Sequence, residues 1–299
     1  MMLETFILRA LRNGPKRIPI GLGFALALTF LHQNASARQV NLGTANKFAV
    51  LAYSAISSTA GPSAISGGNV GLYPDGLSSI TGTIAITPPY TTYAADGFAL
   101  TAKNDLTTAY NQAAGLAPTA NLTSDVLGVT VGTAIAPLTP GVYFFSSSAQ
   151  LTGTLYLNDE GEKDPFFDFQ IGTTLITASS SSVVELNQGA GTILGSSIFW
   201  QVGSSATLGT YTAFDGNILA YTSITDDGYS TVNGRLLAMG GAVTLDYTTI
   251  VTPPAEKAVG QGVPDTGGTL LLLGSGLGAL LAFGRRVSFP GLKPCHCPG

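Results

Sequence analysis

Ile198-Phe-Trp-Gln-Val-Gly203, Asn217-Ile-Leu-Ala-Tyr-Thr222 and Arg235-Leu-Leu-Ala-Met-Gly240 open three versions of one unit. A second short run follows each, aligning Ala206, Ile224 and Val243 beside Thr207, Thr225 and Thr244. A third aligns Phe214, Val232 and Ile250, preceded by Tyr211, Tyr229 and Tyr247. Equivalent positions return every 18 or 19 residues. A fixed period with three strand-like runs is the pattern of a solenoid with three-sided coils, and a right-handed parallel β-helix is the expected fold. Gly203, Gly209, Gly216, Gly234 and Gly240 fall where corners should lie, since a tight corner often needs backbone angles that glycine adopts without strain.

Outward from this repeat, the earlier chain carries shorter echoes of it. Phe48-Ala-Val-Leu-Ala52 reads as an apolar strand, and Ala64-Ile-Ser-Gly67 and Ser79-Ile-Thr-Gly82 repeat an inward aliphatic residue, a small polar residue and a turn. Their likeness to Val232-Asn-Gly234 places both on the third run. Gly141-Val-Tyr-Phe-Phe145, Leu151 to Leu157, Phe166 to Ile171 and Val183 to Leu186 supply further runs. Between the two groups, Phe98, Ala102, Leu106, Ala109, Tyr110 and Ala113 fall at helical spacing, with Asp96 to cap the start and Gly115 and Pro118 to stop it. One helix over about 94–115 is expected, covering the first runs, which are apolar on both sides.

The body has little equipment for catalysis. Its cysteines (Cys295, Cys297) and histidines (His32, His296) all lie near the ends, which excludes Cys/His nucleophile pairs, Ser-His-Asp triads and histidine-ligated zinc from the repeats. Asp226 and Asp227 are adjacent carboxylates near a face, but nothing marks a cleft around them. The acidic stretch Asp159 to Asp164 lacks the spaced ligands of a calcium loop and reads as a solvated turn. No enzyme activity, metal or cofactor is expected. Between Arg38 and Gly262 there are 6 Lys/Arg against 15 Asp/Glu, a formal charge of −9, which disfavours nucleic acid as a partner.

The ends read as processing segments. Residues 1–37 combine Arg9 to Arg17, an apolar run from Ile18 to Leu31 and Ala35-Ser-Ala37, the layout of a cleaved export signal. The folded domain is expected over 38–255, with a linker over 256–262. Val263-Pro264-Asp265-Thr266-Gly267, an apolar run and Arg285-Arg286 form a second signal-like unit over 263–286, with a transient membrane anchor in it. The tail, 287–299, with Cys295-His-Cys297, has no assigned role.

Phe199 to Thr210, Val232 to Ala238 and Gly241 to Asp246 closely resemble the bacterial and microbial ice-binding-like family. Leu42 to Leu51, Ala102 to Asn111 and Thr139 to Tyr143 do so too, so the resemblance covers about residues 40–252. It implies an irregular β-helix of triangular section, all-β apart from one helix packed alongside, and it implies ice as the ligand. Residues 263–286 resemble a PEP-CTERM-type sorting signal, implying an exosortase-like processing enzyme as partner and a place outside the cell or on its surface.

Stacked coils repeat at strand spacing, roughly 4.7–4.9 Å and close to an oxygen repeat of ice, so a flat preformed face can order water at little entropic cost. One candidate ice-binding face takes Ser66, Thr81, Thr152, Asn187 and Asn233 at one third-run position, in a row with Asp215. Its neighbouring position gives Ser79, Ala213, Thr231 and Thr249, in a row with Ala64, Gln150 and Glu185. Thr207, Thr225 and Thr244 make a second candidate face. The alternative is an extracellular adhesin or matrix protein that holds exopolysaccharide by sugar stacking on Tyr211, Tyr229 and Tyr247.

Overall fold

The structure, a computed structural model, describes residues 40–162, 165–190 and 193–253; the expected export signal, linker, sorting segment and tail lie outside the described residues. Strands join in three ladders of parallel pairs, one per side of the coil. The first ladder runs from β6 (Ala120–Asn121) through β8 (Gly141–Phe145), β11 (Phe167–Ile171), β14 (Ile198–Val202) and the later halves of β16 (Ala213–Ala220) and β18 (Thr231–Ala238). It continues through β1 (Phe48–Ala52) and β3 (Asn69–Leu72) to β5 (Thr92–Ala94).

The second ladder stacks β7 (Val126–Leu127), β9 (Ala149–Leu151), β12 (Leu175–Thr177), β15 (Ala206–Leu208), β17 (Ile224–Asp226), β19 (Val243–Leu245) and the first halves of β2 (Ile56–Ser66) and β4 (Ile80–Ile86). The third stacks β10 (Thr154–Asn158), β13 (Ser182–Leu186), the first halves of β16 and β18, β20 (Thr249–Val251) and the later halves of β2 and β4. The mostly parallel sheet with one helix agrees with the expected fold class.

Stacking order is not chain order. Val50 pairs with Leu236, Val243 with Ile56 and Thr249 with Ala64, so the first coil sits directly on the last. The described part of the chain begins mid-solenoid and climbs to β5, whence helix α1 (Gly97–Ala114) carries it back along the first face to the far end. From there it climbs again until its last coil meets its first. Eighteen helical residues span about 27 Å, most of the distance between the ends.

The helix starts at Gly97 rather than near 94, because residues 92–94 pair with β3. Asp96 caps it, its carboxylate accepting from the Ala99 amide at 2.8 Å. Ala102, Leu106, Ala109 and Ala113 bury against Leu51, Phe199, Leu219 and Leu237 on the outer side of the first face. Lys103 Nζ donates to the carbonyls of Ala238 and Met239, both at 2.6 Å, and Gln170 Nε2 to that of Ala113 at 2.7 Å, fixing the helix at two levels.

Inside the coils, Phe169 and Trp200 stack at 4.0 Å and Trp200 packs on Phe214, filling the middle coils with aromatic rings. Gly216 turns the chain from the third to the first face beside that indole, at φ 122°; a Cβ there would lie 2.5 Å from Trp200 Nε1. Several polar side chains are buried at the first face, Arg235 and Asp168 among them. Arg235 reaches Asn217 Oδ1 at 2.8 Å, the Pro253 carbonyl at 2.9 Å and the Asn46 carbonyl at 3.2 Å, joining both ends of the described domain. Asp168, between Val142 and Phe199, is fully buried with neither carboxyl oxygen hydrogen-bonded, and burial pushes its pKa up to about 8.

Candidate functional site

In strands of three residues the first and third point inward and the second outward, so each coil offers the second face one central side chain. The register joins Gln150, Ile176, Thr207, Thr225, Thr244, Ser57 and Thr81 into one outward column. Five consecutive members, from Thr207 to Thr81 in stacking order, carry a hydroxyl. Two residues earlier along each coil runs a second column: Ser148, Thr174, Ser205, Ser223, Ala242 and Ala55, with Ser79 next by register. Ser148 bonds Thr174 at 2.8 Å, and the Ser223 hydroxyl accepts from the Ala242 amide at 3.3 Å.

Neither column contains a charged residue. Beneath them Leu175, Ala206, Leu208, Ile224, Val243, Leu245 and Ile56 are buried, so the outward groups stand on a packed floor. Columns are roughly 6.6 Å apart and coils roughly 4.8 Å apart, from strand geometry. Such a regular plane of hydroxyl and methyl groups suits an ordered array of water.

Placement corrects the sequence-based grouping. Thr81 joins the Thr207 column on the second face, and Ser79 the column beside it; neither is on the third. Thr152 follows β9, at the corner after the second face, and Gln150 is also on that face. Asn187 lies beyond β13 at φ 52°, where its amide donates to Asn158 Oδ1 at 2.8 Å. An inward aliphatic residue followed by Ser or Thr and Gly ends a second-face run as readily as a third-face run, which is why the pattern did not separate them.

The third face retains Ala213, Thr231 and Thr249 in register with Thr154, Ser182, Ala64 and Ala85. Beside them Asp215, Asn233, Val251 and Ser66 stack. Asp215 is largely buried and accepts from Asn233 Nδ2 at 2.7 Å, burial pushing its pKa up to about 6. Glu185 points inward and leaves this surface altogether. Val184, Tyr156 and Val251 interrupt the polar column, so this face is chemically more mixed than the second.

Between the second and third faces stand Tyr211, Tyr229 and Tyr247, each in the left-handed backbone region (φ 60°, 58° and 48°). Their rings stack at 5.1 and 4.6 Å with interplanar angles of 14° and 5°. On the far side of Tyr247 lies the backbone of Gly61, where an added Cβ would come 2.0 Å from the ring. The rings therefore cover one another; of the two end faces of the ladder, that of Tyr247 lies against Gly61 and that of Tyr211 against no other ring. Sugar stacking needs free ring faces, so the geometry gives the polysaccharide alternative little support.

Behind the tyrosines, Thr212, Ser230, Thr248 and Ser63 turn inward. Asp226 joins them: its carboxylate accepts from the Gly228 amide at 2.8 Å and from the Ser230 and Thr248 hydroxyls at 2.9 Å. Burial raises its pKa and these three donors oppose the rise. Asp227 is exposed, so the adjacent carboxylates point apart and make no acid–base pair.

A family described as ice-binding-like matches residues 50–251. An ice-binding protein of Nostoc sp. (strain HG1) is 45% identical over 274 residues, covering 87% of this chain and 93% of that one. An ice-binding protein of Colwellia sp. is 35% identical, over 73% of this chain and 85% of its own. The crystal structure of an ice binding protein from an Antarctic biological consortium superposes with a TM-score of 0.64 at 36% identity, covering 74% of this chain and 94% of that one. An ice-binding protein from an Arctic yeast, described for its antifreeze activity, superposes with a TM-score of 0.59 at 29% identity, covering 72% of this chain and 94% of that one.

Proposed function

We propose an ice-binding role for this chain, which belongs to the ice-binding-like family. It adsorbs to ice through the second face and restrains ice growth or recrystallisation, with no chemical step. The unbroken column Thr207, Thr225, Thr244, Ser57 and Thr81 carries this reading: one hydroxyl and, at the threonines, one methyl group recur at each coil on a floor that does not move. A preformed array orders water at little entropic cost, and the absence of charge in both columns avoids holding a competing hydration shell. Similarity to proteins named for ice binding points the same way.

Ice, or water ordered like it, is the partner, and the site of action is outside the cell or at its surface, reached through the 1–37 export signal. The sorting unit at Val263 to Gly267 would add processing by an exosortase-like enzyme. Among the described residues no helix is long and apolar enough to cross a membrane.

An ice-recrystallisation assay on the purified chain tests the proposal. Thr244→Tyr, at the centre of the column, should abolish inhibition at concentrations where wild type keeps grains small. Thr231→Tyr, on the third face, should leave it largely intact. Unchanged grains with wild type would sink the role; loss only with Thr231→Tyr would move the site to the third face.

A further inference from the structure

The acidic stretch expected to be a solvated turn is only partly one. Glu160, Gly161 and Glu162 are exposed, but Asp159 is fully buried. Along β10 and β13 every second side chain points into the solenoid, and Leu157 pairs with Glu185. Asp159, two residues beyond Leu157, is therefore a diagonal neighbour of Glu185 on the interior side, a relation that brings long side chains into reach. Its amide continues the ladder by donating to the Leu186 carbonyl at 2.9 Å.

Glu185 is 8% exposed. One of its oxygens accepts from the Gly195 amide at 2.7 Å. The other, and both oxygens of Asp159, are buried with no hydrogen-bond donor outside the pair. Among the described residues, the charged groups that act on the pair are Glu162 and Asp215, both acidic. Burial raises the pKa of both carboxyls; within the pair, repulsion by Asp159 raises Glu185 further, while the side-chain hydrogen bond between them lowers Asp159. Three carboxyl oxygens with no donor outside the pair, converging in one interior corner, cost far more than a surface pair unless a proton or something positive joins them.

We propose that Asp159 and Glu185 bind a divalent cation of the calcium class, clamping the 158–162 turn to β13 and Gly195. The donors are all hard oxygens, which suits calcium or magnesium and no thiophilic metal. Among the described residues no third carboxylate, histidine or cysteine ligates with them. Backbone carbonyls and water complete the shell, an arrangement that calcium's flexible six to eight ligands accept more readily than magnesium's strict octahedron. With two protein carboxylates the affinity belongs to the weak class, on the order of 10⁻⁴–10⁻³ M. The site is independent of what the second face binds.

Thermal unfolding of the full-length chain, first freed of metal with EDTA, tests this at pH 8, where deprotonation is favoured. Added CaCl2 should raise Tm by several degrees and saturate, MgCl2 at matched ionic strength should do less, and D159N/E185Q should lose the response. Isothermal titration of wild type with CaCl2 gives an answer even where the double variant fails to fold: binding heat at one site per chain supports the proposal. Absence of heat and of any Tm shift overturns it and leaves a carboxyl pair that shares a proton. An undiminished calcium response in a folded double variant also overturns it, by placing the ion elsewhere.

Discussion

The Tyr229 ring lies 4.6 Å from that of Tyr247, within 5° of parallel, one coil apart. Each residue holds a left-handed backbone angle to reach that position, so the stack offsets local strain rather than presenting free ring faces. Tyr229→Ala should destabilise the domain by about 1–3 kcal/mol, from two lost stacking contacts. Tyr229→Gly should be the more stable of the two by about 1 kcal/mol, because glycine relaxes the strained angle. Urea unfolding checks the order; retention of wild type on an exopolysaccharide column, lost in either variant, would contradict this account of the ladder.

The hydroxyl column on the second face ends where Ile176 and Gln150 continue it in register. Replacing both by threonine should extend the uniform plane by two coils, lengthening its hydroxyl run from five members to seven. Recrystallisation inhibition should then persist to several-fold lower protein concentration. An end point unchanged or raised in a variant of normal Tm would show that regularity at these two coils does not set activity.

Arg235 holds the carbonyls of Asn46 and Pro253 and the side chain of Asn217 from a position 2% exposed. Arg235→Met should cost about 3–5 kcal/mol, since it leaves buried acceptors without their donor. Arg235→Lys should recover only part, because an ammonium cannot reproduce the guanidinium fork. The measurement is the free energy of chemical unfolding, and a cost below about 1 kcal/mol for methionine, the level of an ordinary surface pair, would refute the clamp.

Asp168 should make the domain less stable as pH rises. Its carboxyl, raised to about 8, stays protonated in the folded state while the unfolded group ionises near the ordinary value, about 4. Folding therefore takes up a proton between those values, and stability falls across that window before levelling above pH 8. Asp168→Asn, which carries no ionisable proton, should raise Tm by a margin that grows from pH 5 to pH 8. A margin constant with pH would rule out this titration.

The late repeat was legible because Thr225 and Thr244, and Tyr229 and Tyr247, recur at intervals of 18 or 19 residues through corners of similar length. Early coils were less so: the segments around Ile65 and Ile80 look alike in sequence yet lie on different faces. Side-chain alternation reports inside against outside, but it does not report which side of the coil a run occupies. The meeting of Val50 with Leu236 had no local signature, since it depends on where α1 delivers the chain. Asp159 was misread for a related reason: its acidic neighbours suggested solvent, while strand alternation extended one residue further than composition implied.

Because one guanidinium binds carbonyls near both ends of the described chain, those ends are neighbours. A circular permutant that joins residue 253 to residue 40 through a short linker and opens between α1 and β6 should therefore keep every ladder. In that order the coils follow one another from one end to the other, with the helix last, and the average separation of contacting residues falls. Relative contact order correlates inversely with folding rate, so the permutant should refold faster at nearly unchanged stability. The natural connectivity makes the opposite choice: its central coils cannot be completed until residues at both ends of the domain are available.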